Sequence, residues 1–185
     1  MPLLNKVTMV ILVGALASGA APGNGSEGLS EYQVKAAFLL NFVRFVEWPP
    51  ANNGTNEPLA LGIFGKNPFG GALDQVVNGK TINGRSLVIR RVSDETGIQS
   101  CNLIFFPVSE ARRFSEAAAT LASLSVLTVG ESEGFAARGG MINFVVKDGR
   151  ILFEVNPAAA VRARLKISSK LLQLAIIVKD GAPGK

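Results

Sequence analysis

Six short apolar runs, rich in branched and aromatic residues, recur along this chain: Leu59–Phe64, Leu87–Val92, Leu103–Phe106, Val126–Val129, Ile142–Lys147 and Ile151–Val155. Each is too short for a core helix and suits a strand in a sheet. The stretches between them include helix-length segments: one from the turn Gly65–Gly71 to about Asn78, one from Ser109 to about Ser123, and a brief one near Gly134 to Arg138. Strands that alternate with helices predict a parallel sheet with helices packed on its faces. The last two runs differ, because only Asp148-Gly149 separates their polar tips, and that dipeptide is a strong signal for a tight antiparallel hairpin. The expected fold is therefore a single-domain α/β sandwich, a mostly parallel sheet with one antiparallel hairpin and helices on both faces. In such sheets ligands usually sit beyond the carboxyl ends of the strands.

The first helix is well signed. Ser30 and Gln33 have the spacing of a capping box, Leu29 and Val34 that of a hydrophobic staple, and Trp48-Pro49-Pro50 is a stop. This predicts a helix over about 31–47. It is apolar on two sides, with Val34, Phe38, Phe42 and Phe45 on one and Leu39, Val43 and Val46 on the other; Lys35, Asn41 and Arg44 take what remains. A helix of that kind lies deep in the core, or packs one side on the sheet and offers the other to a partner. Leu39, Val43, Val46 and Trp48 are the candidate partner-binding residues.

The last long stretch, Val155 to Val178, is basic in its first half and apolar in its second. Asn156-Pro157 reads as an N-cap followed by proline at the first helical position, and Ser168-Ser169 as the start of a second helix. Arg162, Arg164, Lys166 and Lys170 fall within nine residues around these signals. Two readings stand side by side. The cations are solvated charges that complement helix ends, or Arg162, Arg164, Lys166, Ser168, Ser169 and Lys170 gather an anion or an acidic partner. The run Leu171 to Val178 is expected to close the core as a helix.

Composition narrows the chemistry. The chain of 185 residues is 48% hydrophobic and 18% charged, which describes a globular protein. It has no histidine, so a Ser-His triad and every histidine-containing metal site are excluded. Gly65 to Gly71 follows a strand but lacks the lysine and hydroxyl residue of a phosphate loop and the glycine spacing of a dinucleotide site. Asp74, Asp94, Glu95, Glu131, Glu133 and Glu154 form no recognisable catalytic pair or ligand cluster. No enzyme activity, catalytic residue, metal or cofactor is expected. Cys101 is the single cysteine and reads as a buried thiol.

The first residues describe an export signal: Lys6, an apolar run over Val7 to Ala17, then Ser18-Gly19-Ala20. The expected organisation is a signal peptide over 1–20, a linker over 21–28, the α/β domain over 29–180 and a tail over 181–185. Export, and cations without interleaved aromatics, argue against nucleic acid as a partner.

Two segments carry a resemblance. Glu31 to Phe42, continuing through Arg44-Phe45-Val46-Glu47 to Trp48-Pro49, and Asn156-Pro157 with Leu165 to Ala175 closely resemble the YfiR/HmsC-like family of bacterial periplasmic proteins. Cys101 to Phe106 and Gly139 to Phe144 fit its middle. The resemblance implies an α/β sandwich, a periplasmic location and the formation of homodimers. It also implies a regulatory role: such proteins repress a membrane diguanylate cyclase (YfiN-like) by binding its periplasmic portion, which lowers cyclic di-GMP and biofilm formation. A YfiB-like outer-membrane lipoprotein is the implied second partner. Some members carry paired cysteines; with Cys101 alone, an internal redox switch is not expected here.

Overall fold

The computed structural model describes residues 29–49 and 57–181. The expected leader and linker over 1–28, and the tail beyond Gly181, lie outside them. In chain order the elements are α1 (Glu31–Phe45), β1 (Val46–Glu47), β2 (Leu59–Phe64), α2 (Ala72–Val77), β3 (Thr81–Ile82), β4 (Arg85–Val92), α3 (Glu95–Gln99) and β5 (Leu103–Phe106). A 3-10 turn leads into α4 (Ala111–Leu121), followed by β6 (Leu127–Gly130), β7 (Ile142–Lys147), β8 (Arg150–Val155), α5 (Pro157–Arg162), β9 (Lys166–Ile167), α6 (Ser169–Leu174) and β10 (Ile176–Ile177).

Eight strands form one sheet in the order β10-β8-β7-β6-β5-β2-β4-β3. β4, β2, β5, β6 and β7 run parallel. β7 and β8 form the expected antiparallel hairpin, turning at Asp148 (φ 50°) and Gly149 (φ 70°), and β10 joins β8 in parallel as the edge. At the other edge β3 returns on β4 through Asn83 (φ 52°) and Gly84 (φ 79°). These pairs at positive φ suit the type I′ geometry that Asn-Gly and Asp-Gly favour.

The central strands read as unbroken apolar runs because both faces of the sheet are covered. Leu61, Ile63, Leu103, Phe105, Leu127 and Val129 pack with Leu39, Phe42 and Val43 of α1 and Leu73 and Val77 of α2. Ala60, Ile104 and Phe106 face the opposite way, toward Ile98 of α3, Phe114 and Leu121 of α4, and Phe135. Phe135 stacks on Phe114 at 3.9 Å between ring centroids, and a Cβ at Gly130 or Gly140 would come within 2.4 or 2.2 Å of its ring. Those two glycines let the backbone close on the ring from both sides.

The structure corrects several expectations. The capping box forms at Ser30 and Gln33, but Leu29 is exposed, so no staple closes over it. α1 ends at Phe45 because Val46-Glu47 pairs with β9 in a small antiparallel sheet. α4 is capped at Glu110 rather than Ser109, and residues 134–138 are turns. The terminal apolar run is not one closing helix: α6 stops at Leu174, and the chain extends at Ala175 to meet the edge of β8. Leu171 is buried, whereas Leu174, Ile176 and Ile177 stay exposed.

Candidate functional site

At the carboxyl ends of the parallel strands, where a ligand crevice was expected, the protein's own side chains fill part of the space, beside an open depression of ≈ 640 Å³ lined by Val108, Ala111, Arg112, Ser132 and Arg138. Strand order reverses between β2 and β5, since β4 lies beyond β2 and β6 beyond β5. Past these ends, Glu110 covers Gly65 so closely that a Cβ there would lie 2.3 Å from its Oε1. Next to it, Glu131 follows β6 directly and meets Lys35 of α1. Lys35 is 3% exposed, and its Nζ donates to Glu131 Oε2 at 2.6 Å and to Glu31 Oε1. Glu131 Oε1 accepts from the Tyr32 hydroxyl and from the backbone N–H of Val108, each at 3.1 Å. The ammonium also lies 4.8 Å from the Tyr32 ring centroid and 5.8 Å from that of Phe144.

Burial works against the charged ammonium, but the bonds to Glu131 and Glu31 more than offset it, and Lys35 titrates above the ordinary lysine range. Burial and the Glu131 carboxylate raise the Tyr32 hydroxyl as well. This is a satisfied network, each oxygen of Glu131 bonded, and it ties α1 to the end of β6. Lys35, assigned from sequence to the polar remainder of α1, is a core residue whose partner lies 96 positions away.

The opposite, amino-terminal end of the sheet opens into a cleft of ≈ 1190 Å³. Its lining comes from Trp48 after β1, from Asn102 and Val126 before β5 and β6, from Arg85 and Arg90 of β4, and from Arg164 after α5. Asn102 organises this end. Its Oδ1 accepts from Ala60 N at 2.9 Å, and its backbone carbonyl accepts from Leu127 N at 2.8 Å and from Trp48 Nε1 at 3.1 Å. One residue thus joins the starts of β2, β5 and β6 and fixes the indole. Arg85 Nε donates to the Glu57 carbonyl at 2.6 Å. Cys101 also borders the cleft, and burial pushes its thiol up against the lowering effects of Ser100 and Arg90.

The six residues proposed from sequence as an anion site are dispersed. Arg162 forks onto Asp180 at 2.5 and 3.2 Å. Lys166 sits on β9 opposite Glu47. Ser168 caps α6, its hydroxyl accepting from Leu171 N at 3.3 Å and its own N–H bonding the Phe45 carbonyl. Ser169 and Lys170 are exposed on the first turn of α6. Only Arg164 reaches the cleft. Of the four proposed partner-binding residues, Leu39, Val43 and Val46 are 0%, 3% and 5% exposed. They are core residues, because α2, α6 and the β1–β9 pair cover the second side of α1. Trp48 alone is partly exposed. Sequence reasoning missed Arg85 and Arg90, which look like ordinary strand-surface cations but line this cleft.

Among the described residues no group of three or more His, Cys, Asp or Glu side chains is placed to hold a metal ion, and no helix is long and apolar enough to cross a membrane. The fold is a single-domain α/β sandwich built on a mostly parallel sheet of eight strands. A family model described as YfiR/HmsC-like matches residues 32–176, and the chain belongs to that family. Among solved structures, a conserved domain protein from Vibrio cholerae O1 biovar El Tor strain N16961 is similar, with a TM-score of 0.51 and 13% identity. The likeness covers 82% of this chain and 61% of that one, so this chain spans about three fifths of its relative, and what they share is the fold. No curated protein matches the chain.

Proposed function

We propose that this protein is a periplasmic, non-enzymatic regulator that binds the periplasmic portion of a membrane diguanylate cyclase and so lowers cyclic di-GMP and biofilm formation. Family membership over residues 32–176 carries the reading. The absence of a histidine agrees with a protein that works by binding. The mechanism is a population shift: the regulator binds an inactive arrangement of the cyclase sensor more tightly than the active one.

The docking surface expected on α1 is internal, so the partner must meet another face. The outer edge of the sheet qualifies. Among the described residues β10 presents the free side of a strand, and Ile176 and Ile177 on it and Leu174 just before it are 44%, 52% and 62% exposed. An unpaired apolar edge accepts a strand or an apolar face from a partner. A second copy of this chain and a YfiB-like lipoprotein are the competing occupants.

Deleting the gene raises cellular cyclic di-GMP if this reading is right; an unchanged level overturns it. The edge is tested separately by Ile176→Lys, which abolishes co-purification with the cyclase's periplasmic portion while leaving the melting temperature close to that of the wild type.

A further inference from the structure

We propose that the cleft at the amino-terminal end of the sheet binds a small organic oxyanion, a carboxylate or phosphate on a flat apolar body, with Arg164 and Arg90 as its charge contacts and Trp48 as its apolar wall. The proposal goes beyond the cyclase reading and does not depend on it.

Arg164 carries the argument. The turn that ends α5 has the two bonds of a Schellman motif: Leu165 N–H reaches the Ala160 carbonyl at 2.9 Å, and Arg164 N–H reaches that of Val161 at 2.9 Å. The residue at Arg164 must then be left-handed, and its φ is 60°. Glycine, or asparagine, is the usual occupant because a Cβ is disfavoured there. This chain instead places an arginine whose side chain lines the cleft. Strained backbone of this kind is typically retained where a side chain has work to do.

A second observation points the same way. Arg164 and Arg90 have no hydrogen-bond or ion-pair partner among the described residues, whereas Arg162, two residues before Arg164, is paired with Asp180. Three guanidinium groups and the carboxylates of Glu47 and Glu57 share the lining, so the cleft keeps an excess of positive charge. Its walls are not only charged: Trp48, Pro49 and Val46 border it, and the Trp48 indole is fixed by its bond to Asn102. Fixed aromatic surface beside forked donors suits an anion with a flat apolar part.

The test is titration calorimetry of the purified protein with phenyl phosphate, benzoate and inorganic phosphate. At least one of the two organic anions binds, with a Kd below about 1 mM; which one separates phosphate from carboxylate recognition. Arg164→Gly weakens that binding by about tenfold or more, yet melts no lower than the wild type, because glycine relieves the backbone. Arg90→Gln also weakens binding, and Lys170→Ala, outside the cleft, leaves it unchanged. The proposal is overturned if none of the three anions binds at about 10 mM, if Arg164→Gly binds as well as the wild type, or if inorganic phosphate binds as tightly as the organic anions. An Arg164→Gly protein that melts well below the wild type assigns the residue to structure and overturns the proposal equally.

Discussion

Lys35 and Glu131 show what a buried ion pair demands of its neighbours. Their side chains are 4% and 5% exposed, so neither charge is hydrated, and each depends on the other and on Glu31, Tyr32 and Val108. Removing one partner strands the other. Glu131→Gln is expected to cost on the order of 3 kcal/mol in urea unfolding. The double variant Lys35→Met, Glu131→Gln is expected to lose less than the sum of the singles, since no buried charge is left unpaired and Glu31 is half exposed to water. Additive losses would show that the two side chains are not coupled. Lys35 also sets an alkaline limit. Its pKa is raised in the folded state, so its contribution is complete below the ordinary lysine value and is lost as pH rises through the higher folded value. Stability measured from neutral pH to above about pH 10.5 falls along that limb, and Lys35→Met flattens it. At Arg164 the expectation is reversed: replacing a left-handed arginine by glycine stabilises by about 1 kcal/mol, read as a higher urea midpoint.

Among the elements, the C-terminal segment is held by one small network. Asn156, fully buried, caps α5 through Oδ1 to Ala159 N at 3.0 Å, while its Nδ2 donates to the Ala136 carbonyl at 2.8 Å and to Asp180 Oδ1 at 2.6 Å. Arg162 completes the clamp on Asp180. The Arg162 and Asn156 bonds hold the Asp180 carboxyl below its usual range. A depressed carboxyl stabilises above its unfolded pKa and loses that contribution as pH falls through the lower folded value, a window below about pH 4. The pair is half exposed, so the effect is under about 1 kcal/mol. Asp180→Asn is expected to remove this part of the acid dependence without changing the alkaline limb. The turn 131–141 is held differently. Gly140→Ala would press a methyl group into the Phe135 ring, and a loss of about 1–3 kcal/mol follows from overpacking. The element signals that sequence conveys best are those that act within a few residues. The capping box of α1, the Asn156-Pro157 start of α5, the Ser168 cap of α6 and the Asp148-Gly149 turn all form as their spacing predicts. α3 has a cap of the same kind in Asp94, but five residues with an internal glycine offer no periodicity to read.

For the whole molecule, the alternation of apolar runs and helical stretches was enough to predict the layers and a mostly parallel sheet, because strands covered on both faces must be apolar throughout. The location of the site was not legible for the opposite reason. Part of the carboxyl ends is filled by the buried pair Lys35 and Glu131, and the cleft at the amino ends is assembled from Trp48, Arg85, Arg90, Asn102 and Arg164. Those residues are distant in sequence and are brought together only by the strand register and by the Asn102 bonds. The apolar second side of α1 misled for a related reason: a two-sided helix is equally consistent with a partner and with burial beneath α2 and α6, and only packing decides. At this scale the regulator reading and the ligand reading concern different surfaces, the β10 edge and the amino-end cleft. Loss of cyclase binding in Ile176→Lys is therefore expected to leave anion binding unchanged, a separation that calorimetry on that variant checks.

Trp48 gives the cleft its own optical reporter. It is the single tryptophan in the chain, and its indole N–H is tied to the Asn102 carbonyl while its ring borders the cleft. The intrinsic fluorescence excited at the red edge of indole absorption therefore arises from one position, with no second emitter to dilute it. Displacement of water from that ring shifts the emission to the blue, and loosening of the strand starts at Asn102 shifts it to the red. A single spectrum thus distinguishes an occupied cleft from an unravelling sheet.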